Sequence, residues 1–497
     1  MLNNRVSRRL FLGSVAGASV TAPLAVLGPD AAAQTPVADG WTPVDNIRPV
    51  LTPVAEMQPA PEDEIHVTMA PNVPPPITRT DQRTFEVALE SIESICPLDP
   101  ENGVSTAMWG YRIAGEDQTL CGSPGPVIRG RVGDMVTISM TNLASSMHPH
   151  NIDFHAVTGQ GGGAEALTAN PGQTKAIQVR LLYPGAFMYH CAYGDVPEHI
   201  AHGMYGMFIV DPEVPLPEVD HEWSISQSEW YVMEVGTDDQ GVARFDRASL
   251  SLEHPRYVTF NGRTDALRGD NALHMNVGER GRIYFVNQGI NLTSSFHPIG
   301  SHWDLVYPEA ATHAGNVPIR GSQSTLVVAG GGTVAELDAL VPSTVILVDH
   351  SLVRSFYKGS IGQIVIEGEP DPEIFVSLTR EVTEEGHMAS PVAEDIAAEV
   401  IMPEGAFLPE NAQIAYSPPV VTIPVGGTVL WRNEDTVAHT VTSGLSDGFS
   451  GTPDGRFDSG FLETGATFIH TFDEVGTYPY FCMPHPWMRG TLLVVEE

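Results

Sequence analysis

The sequence predicts an all-β protein made of three β-sandwich domains. A strand pattern occurs three times along the chain, glycine (48) and proline (40) are plentiful, and long helical periodicity is absent from the sequence. Short strands separated by turns at regular spacing are typical of β-sandwiches. A chain of 497 residues is also too long to form a single core. Three sandwiches therefore fit both the pattern and the length.

Each copy of the pattern contains a strand, a turn with glycine and a second strand that ends in asparagine. These second strands end at Asn142, Asn287 and Asn433. A later strand closes each copy, and these closing strands end at His190-Cys191, His350 and Cys482. The repeats predict domains over residues 61–213, 214–370 and 401–497.

The segments outside the domains differ in composition. Residues 1–33 contain Ser7-Arg8-Arg9, a weakly apolar stretch and then Ala31-Ala32-Ala33, which predicts a cleaved twin-arginine signal peptide. The stretch is short and rich in glycine, which disfavours a membrane anchor. No other run approaches the length of a membrane span, so we expect none in the mature chain. Residues 34–60 form a predicted proline-rich arm, and residues 371–400 an acidic linker. We expect export to the periplasm or, in an archaeon, to the outside of the cytoplasmic membrane.

The formal net charge of -36 limits the partners of this chain. Such a surface repels nucleic acids and anionic membranes, and it suits positively charged redox partners. It also opposes an anionic substrate at long range. Any site for an anion therefore needs a local positive charge, such as a metal ion.

The first closing strand carries two adjacent candidate ligands, His190 and Cys191. Neighbouring side chains on a strand point to opposite faces, so the two are expected to bind different metals. Two imidazoles, a thiolate and a weak thioether form the blue-copper electron-transfer set. The predicted ligands of this type 1 copper are His150, Cys191, His199 and Met204. We expect the nearby His148 and His202 to lie at the rim.

The His190 face predicts a second kind of site. His155 lies five residues after His150 and therefore faces the other way, and Asp153 shares the face of His155. In the second copy, His350 occupies the position of His190. A site with three histidines keeps an open position that accepts water or substrate. Because His350 belongs to another domain, this site is expected at a domain or subunit interface.

The third copy offers a second complete blue-copper set. Its predicted ligands are His439, Cys482, His485 and Met488. Phe481 stands where His190 stands in the first copy. This domain is therefore expected to carry electrons without a neighbouring catalytic metal.

The two remaining cysteines, Cys96 and Cys121, bracket a polar insertion and have no metal-ligand context. In an exported protein a disulfide between them is expected, and the alternative is two separate buried thiols.

Four segments of the chain resemble copper-containing nitrite reductase. They are residues 150–155, 190–204, 294–297 and 347–351. The resemblance spans about residues 60–369 and implies cupredoxin-like Greek-key domains in a homotrimer, with the catalytic type 2 copper between subunits. His155 and His190 would then bind that copper together with His350 of a neighbour. The Cys-x2-His-x2-Met loop of the third copy resembles plastocyanin and pseudoazurin, which implies a fused electron donor.

The resemblance also assigns roles to single residues. Asp153 and His297 match the catalytic pair that shares a water above the open position, and Ile299 matches the aliphatic residue over that copper. Thr325 matches the hydroxyl that orients His297. The implied reaction is the one-electron reduction of nitrite to nitric oxide. The implied complement is two type 1 coppers and one type 2 copper per chain, with an external cupredoxin or cytochrome c as donor.

Two other functions share parts of this pattern. A small multicopper oxidase needs the motif His-Cys-His, and Ala192 occupies the place of its second histidine. A non-catalytic blue-copper electron carrier or copper-storage protein leaves Asp153, His297 and His350 without a role. Counting metals separates the carrier from the enzyme, because only the enzyme holds a copper that is not blue.

Overall fold

The structure is a computed structural model and describes residues 48–115, 121–233, 242–376 and 396–496. The chain forms two compact units, Met1–Val376 and Ser377–Glu497. The predicted signal peptide lies outside the described residues, as do residues 34–47 of the predicted arm and residues 377–395 of the predicted linker. In the described part of the chain, no helix is both long and apolar enough to cross a membrane.

The first sandwich packs two sheets face to face. Its strands are β1 Gln58–Pro59, β2 Val67–Thr68, β3 Arg83–Asp99, β4 Val104–Ile113, β5 Val127–Arg131, β6 Met135–Asn142, β7 Asp153–Phe154, β8 Thr174–Arg180, β9 Gly185–His190 and β10 Tyr205–Asp211. One sheet has the order β4-β3-β6-β8 with β1 beside β3, and the other has the order β2-β5-β10-β9-β7. Two short helices, α1 Ala164–Leu167 and α2 Val196–Ala201, connect strands.

Alternation explains how these strands build the core. In β6, Val136, Ile138 and Met140 are buried while the residues between them are partly exposed. A strand with one buried face has this period of two. Cys191 and Met204 belong to the same buried cluster, so the candidate ligands of the first copy lie at the edge of a packed core.

The second sandwich follows in the same unit. Its elements are β11 His221–Trp230, β12 Val242–Ala243, α3 Arg247–Ser251, β13 Tyr257–Phe260, β14 Leu273–Asn276, β15 Arg280–Asn287, β16 Ser294–Ile299, β17 Trp303–Pro308, β18 Ile319–Ser322, β19 Thr325–Val327, β20 Gly332–Asp338, β21 Ser343–Asp349, α4 Leu352–Lys358 and β22 Ile361–Glu367. The sheets have the orders β13-β11-β15-β20-β17-β18 and β14-β22-β21-β16-β19, and β12 extends the first sandwich by pairing with β4.

Buried charges join the two sandwiches into one unit. Arg129, on β5 of the first sandwich, donates to Asp211 at 2.8 Å and to Glu222 on β11 of the second sandwich at 2.6 Å. Arg282 on β15 donates to the same Glu222 at 2.9 Å. Breaking one member of such a paired, buried group leaves an uncompensated charge, which is strongly destabilising. These paired charges therefore connect the first two predicted domains within the first unit.

The third sandwich forms the second unit. Its strands are β23 Ile396–Met402, β24 Val420–Pro424, β25 Gly427–Asn433, β26 Thr442–Ser446, β27 Gly451–Asp458, β28 Thr467–Phe472, β29 Gly476–Phe481 and β30 Arg489–Val495. The sheets have the orders β23-β25-β28 and β24-β30-β29-β26-β27. All three sandwiches are built mainly from strands, so the predicted all-β fold is confirmed.

Two boundaries differ from the sequence prediction. β23 begins at Ile396, within the predicted linker 371–400, and pairs in parallel with β25. Its Glu399 accepts hydrogen bonds from Arg432 on β25. The charge that indicated a linker is thus part of a sheet. In the same way β1, at the end of the predicted arm, pairs with β3.

Candidate metal centres

The structure brings the predicted ligands of the first blue-copper set together at one end of the first sandwich. The Sγ of Cys191 lies 4.0 Å from Nδ1 of His150 and 3.3 Å from Nδ1 of His199. All three residues are buried. Met204 is buried beside them, and its carbonyl accepts from the N–H of Cys191 at 3.1 Å. The four residues come from the loop before β7, the position just after β9, α2 and the position just before β10.

The surroundings of this group set the protonation states of its ligands. Burial, followed by repulsion from neighbouring imidazoles, lowers the pKa of His199 to about 4, so this ring is neutral near pH 7. Burial raises the pKa of the Cys191 thiol, which a metal must overcome by displacing the proton. Asn151 lies beside the sulfur at 3.6 Å and also accepts from the N–H of Ala192 at 2.7 Å. Its amide ties the ligand loop to the cysteine strand.

Sequence reasoning missed two residues that contact this group. Glu93 on β3 accepts a hydrogen bond from Nε2 of His150 at 3.0 Å. Burial acts to raise the pKa of Glu93, but hydrogen bonds from His150 and the His148 backbone outweigh it and lower that pKa to about 2. The ring of Trp109 on β4 stacks on His202 at 4.0 Å and contacts His199 edge-on at 4.9 Å. Neither residue belongs to a recognisable motif, so only three-dimensional proximity reveals them.

The two histidines that were expected at the rim both contact Trp109. His148 lies 4.5 Å from that ring, and its side chain is 42% exposed. His202 is buried under the same ring. His199, which belongs to the ligand set, is only 6% exposed because the indole covers it.

The opposite face of the closing strand carries a separate group. Ligand atoms of Asp153, His155 and His190 lie within 4.8 Å of one another. Asp153 and His190 are direct partners across β7 and β9, and the rings of His155 and His190 are 5.2 Å apart. Nδ1 of His190 lies 3.0 Å from the Cys191 carbonyl, which leaves Nε2 to face Asp153. The structure thus places His190 and Cys191 in different ligand groups, as strand alternation predicts.

The backbone of Gly162 packs closely against the Asp153 side chain. A Cβ at this glycine would lie 1.9 Å from the Asp153 carboxylate oxygen, and the backbone there has φ +59°. Both features require glycine. The Asp153 side chain remains 27% exposed on its other side, so it can reach a small ligand.

The second sandwich carries a further pair of histidines, His297 and His350. Their rings are 5.1 Å apart, and His350 is exposed. Ile299 shares the partly exposed face of β16 with His297. Among the described residues, His155 and His190 are the histidines whose ligand atoms lie close to the Asp153 carboxylate. His350 instead lies beside His297. One chain therefore presents two separate partial sites.

The partner of His297 differs from the expected one. Its Nδ1 lies within hydrogen-bonding distance of the Gln323 carbonyl, and not of the Thr325 hydroxyl. Thr325 is buried and pairs with Phe296 across β16 and β19. Because it is opposite the neighbour of His297, its side chain falls on the other face of the strand.

The third sandwich reproduces the thiolate group. The Sγ of Cys482 lies 3.6 Å from Nδ1 of His439 and 3.4 Å from Nδ1 of His485, and Met488 is buried beside them. Burial, then repulsion from His439, lowers the pKa of His485 to about 4. Phe481 is buried in the position that His190 occupies in the first copy.

Cys96 and Cys121 form a disulfide with Cα atoms 6.0 Å apart. The bond connects the end of β3 to the segment that follows β4. It therefore closes the insertion that carries Trp109.

The donor sets fit copper. Two buried groups combine imidazole nitrogens, an unbridged cysteine sulfur and a nearby methionine, which is the blue-copper set. The third group consists of imidazoles and a carboxylate, which suits a metal that keeps an open position.

Comparisons with known proteins give the family. Residues 406–495 match the model of copper binding proteins of the plastocyanin/azurin family, and residues 97–214 match the multicopper oxidase model. A copper-containing nitrite reductase of Neisseria meningitidis serogroup A is 41% identical over 326 residues, which cover 66% of this chain and 81% of that protein. This chain belongs to the copper-containing nitrite reductase family. The resemblance seen in the sequence, with its plastocyanin-like third domain, is confirmed.

Other members of the family agree with this assignment. A copper-containing nitrite reductase of Cereibacter sphaeroides is 31% identical over 338 residues and is covered to 85% of its length, with 62% of this chain. The solved copper nitrite reductase of Nitrosomonas europaea is 33% identical with a TM-score of 0.50. That match covers 59% of this chain and 96% of that structure.

Proposed function

We propose that this protein reduces nitrite by one electron to nitric oxide at a three-histidine copper site formed by two subunits. Two blue coppers, at Cys191 and Cys482, would handle the electrons. The family assignment supports the substrate and the metal. The finer assignment depends on the two partial sites of the chain.

The observation that carries the proposal is the division of the ligands within one chain. Asp153, His155 and His190 form one group, and His297 and His350 form another. A three-histidine site with a proton donor on each side needs more than either group offers. The first group lacks a third histidine ligand and a second proton donor, and the second group lacks two histidine ligands and the carboxylate. If His350 and His297 of one subunit meet Asp153, His155 and His190 of the next, both deficits are removed at once.

The surface next to His350 supports such an assembly. Helix α4 begins directly after it and exposes four large apolar side chains. They are Leu352 (44% exposed), Val353 (59%), Phe356 (56%) and Tyr357 (54%). A contiguous apolar patch on a highly charged protein is typical of a protein–protein interface. We therefore infer that this helix lies at a subunit contact, and the resemblance to the family implies that the assembly is a homotrimer.

The proposed reaction consumes nitrite, one electron and two protons and yields nitric oxide and water. Copper, when bound, would supply the positive charge that holds the anion and the path for the electron. Asp153 donates a proton to the nitrite oxygen that leaves. The Gln323 carbonyl holds Nδ1–H of His297 and leaves Nε2 to deliver the second proton. One N–O bond breaks, and its oxygen departs as water.

Electrons would reach this site through the peptide that links Cys191 to His190. The third domain would raise the effective concentration of donor for the Cys191 centre, because a tethered module replaces a freely diffusing one. We also propose export by the twin-arginine route to the periplasm or its archaeal equivalent. The external protein that supplies the electrons would be a cupredoxin or a cytochrome c.

Anaerobic assays of copper-loaded protein test the proposal. We expect nitric oxide, detected by an electrode, from nitrite and a reduced dye, together with three coppers per chain. In a parallel aerobic assay with the same dye, a multicopper oxidase would consume oxygen, and it would not reduce nitrite in the anaerobic one. Protein that holds only its two blue coppers and produces no nitric oxide would refute the enzymatic assignment in favour of an electron carrier.

A further inference from the structure

The two thiolate centres share a contact that lies outside their ligands. In each, the first histidine turns Nδ1 towards the cysteine sulfur and Nε2 towards a carboxylate. Nε2 of His150 lies 3.0 Å from Oε1 of Glu93, and Nε2 of His439 lies 2.9 Å from Oδ2 of Asp435. An ionised carboxylate only accepts hydrogen bonds, so the proton of each ring is on Nε2 and Nδ1 is free for a metal.

Both carboxylates are held rigidly by backbone N–H groups. Glu93, with a side chain 7% exposed, accepts from the N–H groups of Met147 and His148, each at 2.9 Å. Asp435 has a side chain that is 0% exposed, and it accepts from Gly405 at 2.9 Å and from Phe407 at 3.0 Å. The backbone contacts fix the position of each carboxylate, and each carboxylate therefore orients the imidazole that contacts it.

The two contacts have different origins in the chain. Glu93 is 57 residues before its histidine and lies on strand β3, whereas Asp435 is 4 residues before its histidine in the same loop. Repetition of a local motif would have placed both carboxylates at the same spacing. The same contact from two unrelated positions indicates that the contact itself matters.

We propose that Glu93 and Asp435 are positioning residues that select the metal-binding nitrogen of His150 and His439 and lower the reduction potential of the two blue coppers. A carboxylate on the far nitrogen makes an imidazole more basic, and the extra negative charge stabilises Cu(II) more than Cu(I). Each centre would thereby pass its electron onward more readily. This inference rests on the blue-copper part of the proposed function and does not depend on nitrite as the substrate.

The experiment measures one centre at a time. Glu93→Gln is made in a Cys482→Ala background, and Asp435→Asn in a Cys191→Ala background, so that a single blue copper remains. Spectroelectrochemical titration gives its potential. We expect each substitution to shift the Cu(II)/Cu(I) equilibrium towards Cu(I) at least tenfold, a rise of about 59 mV for one electron. A potential unchanged from its parent, with copper still bound, would overturn the proposal.

Matched controls separate charge at the ring from charge in general. Glu90→Gln removes a carboxylate from the same strand, where it pairs with Arg112 at 2.7 Å. Glu434→Gln removes the exposed neighbour of Asp435. Both controls should leave the potential unchanged. A rise in the controls equal to that in the test variants would show that overall charge is the cause, and would count against the proposal.

A second measurement covers variants that bind copper poorly. Affinities for Cu(II) and Cu(I) are then titrated separately. We expect the Cu(II) affinity to fall at least tenfold more than the Cu(I) affinity, within the 10- to 100-fold losses typical of such contacts. Equal losses for both ions would mean that the carboxylate only supports the loop. Parent protein that binds no blue copper would instead refute the proposed function.

Discussion

Mixed oligomers test whether the catalytic site is shared between subunits. His155→Ala removes a ligand from the group at Asp153, and His350→Ala removes a ligand from the separate pair at His297. Each variant alone should lose the type 2 copper and nitrite turnover, because every site of a homotrimer then lacks one histidine. Both should keep the blue colour, since Cys191 and its partners are on the opposite face of the strand.

The magnitude follows from the three-fold arrangement that we propose. The two variants are expressed together with different affinity tags, and trimers that carry both tags are isolated in two steps. Whether a mixed trimer has two copies of one variant or of the other, a single interface joins an intact Asp153 group to an intact His350. We therefore expect about a third of the turnover per trimer of the parent protein.

The assay is nitric oxide formation from nitrite with a dye donor, with copper analysis alongside. The matched control mixes His155→Ala with His190→Ala. These residues belong to the same group, so no interface of the mixed trimer is intact and activity should stay at the level of the single variants. Equal activity in the two mixtures, or full activity of His350→Ala alone, would refute the shared site.

Four further predictions concern single residues. Asp153→Asn should lower turnover about 10²- to 10⁴-fold, as expected for loss of a general acid, and retain the blue absorption; full activity would remove this carboxylate from the mechanism. Gly162→Ala should lower turnover in the same assay without loss of blue copper, because the added Cβ would collide with the Asp153 carboxylate. Gly161→Ala serves as its control, since the added Cβ there would meet only Ala164 at 4.0 Å. Cys482→Ala should leave turnover with small dyes unchanged and slow it with a protein donor, and equal slowing with both would count against the relay. Between pH 7 and pH 4, the copper-free protein should lose about 3 kcal/mol of its free energy of unfolding through His199. The reason is that the imidazole binds a proton below about pH 6.5 in the unfolded chain but only near pH 4 in the folded chain. Urea unfolding of His199→Gln should show a correspondingly smaller loss.

The sequence by itself determined the properties that depend on neighbouring residues. Strand alternation separates His190 from Cys191, and the spacing of the cysteine loops identifies both thiolate sets, because ligand chemistry and strand parity are local. The three repeats likewise indicate three sandwiches. These parts of the site could be predicted without any knowledge of how the sheets pack.

The tertiary structure alone decided the contacts between distant segments. Glu93 reaches His150 and Trp109 covers His199 only because β3 and β4 extend beside the ligand loops, and no local pattern signals either contact. The carbonyl of Gln323, and not the Thr325 hydroxyl, holds His297 for the same reason. Such contacts depend on the register and packing of whole sheets. A residue's own neighbours in sequence do not contain that information.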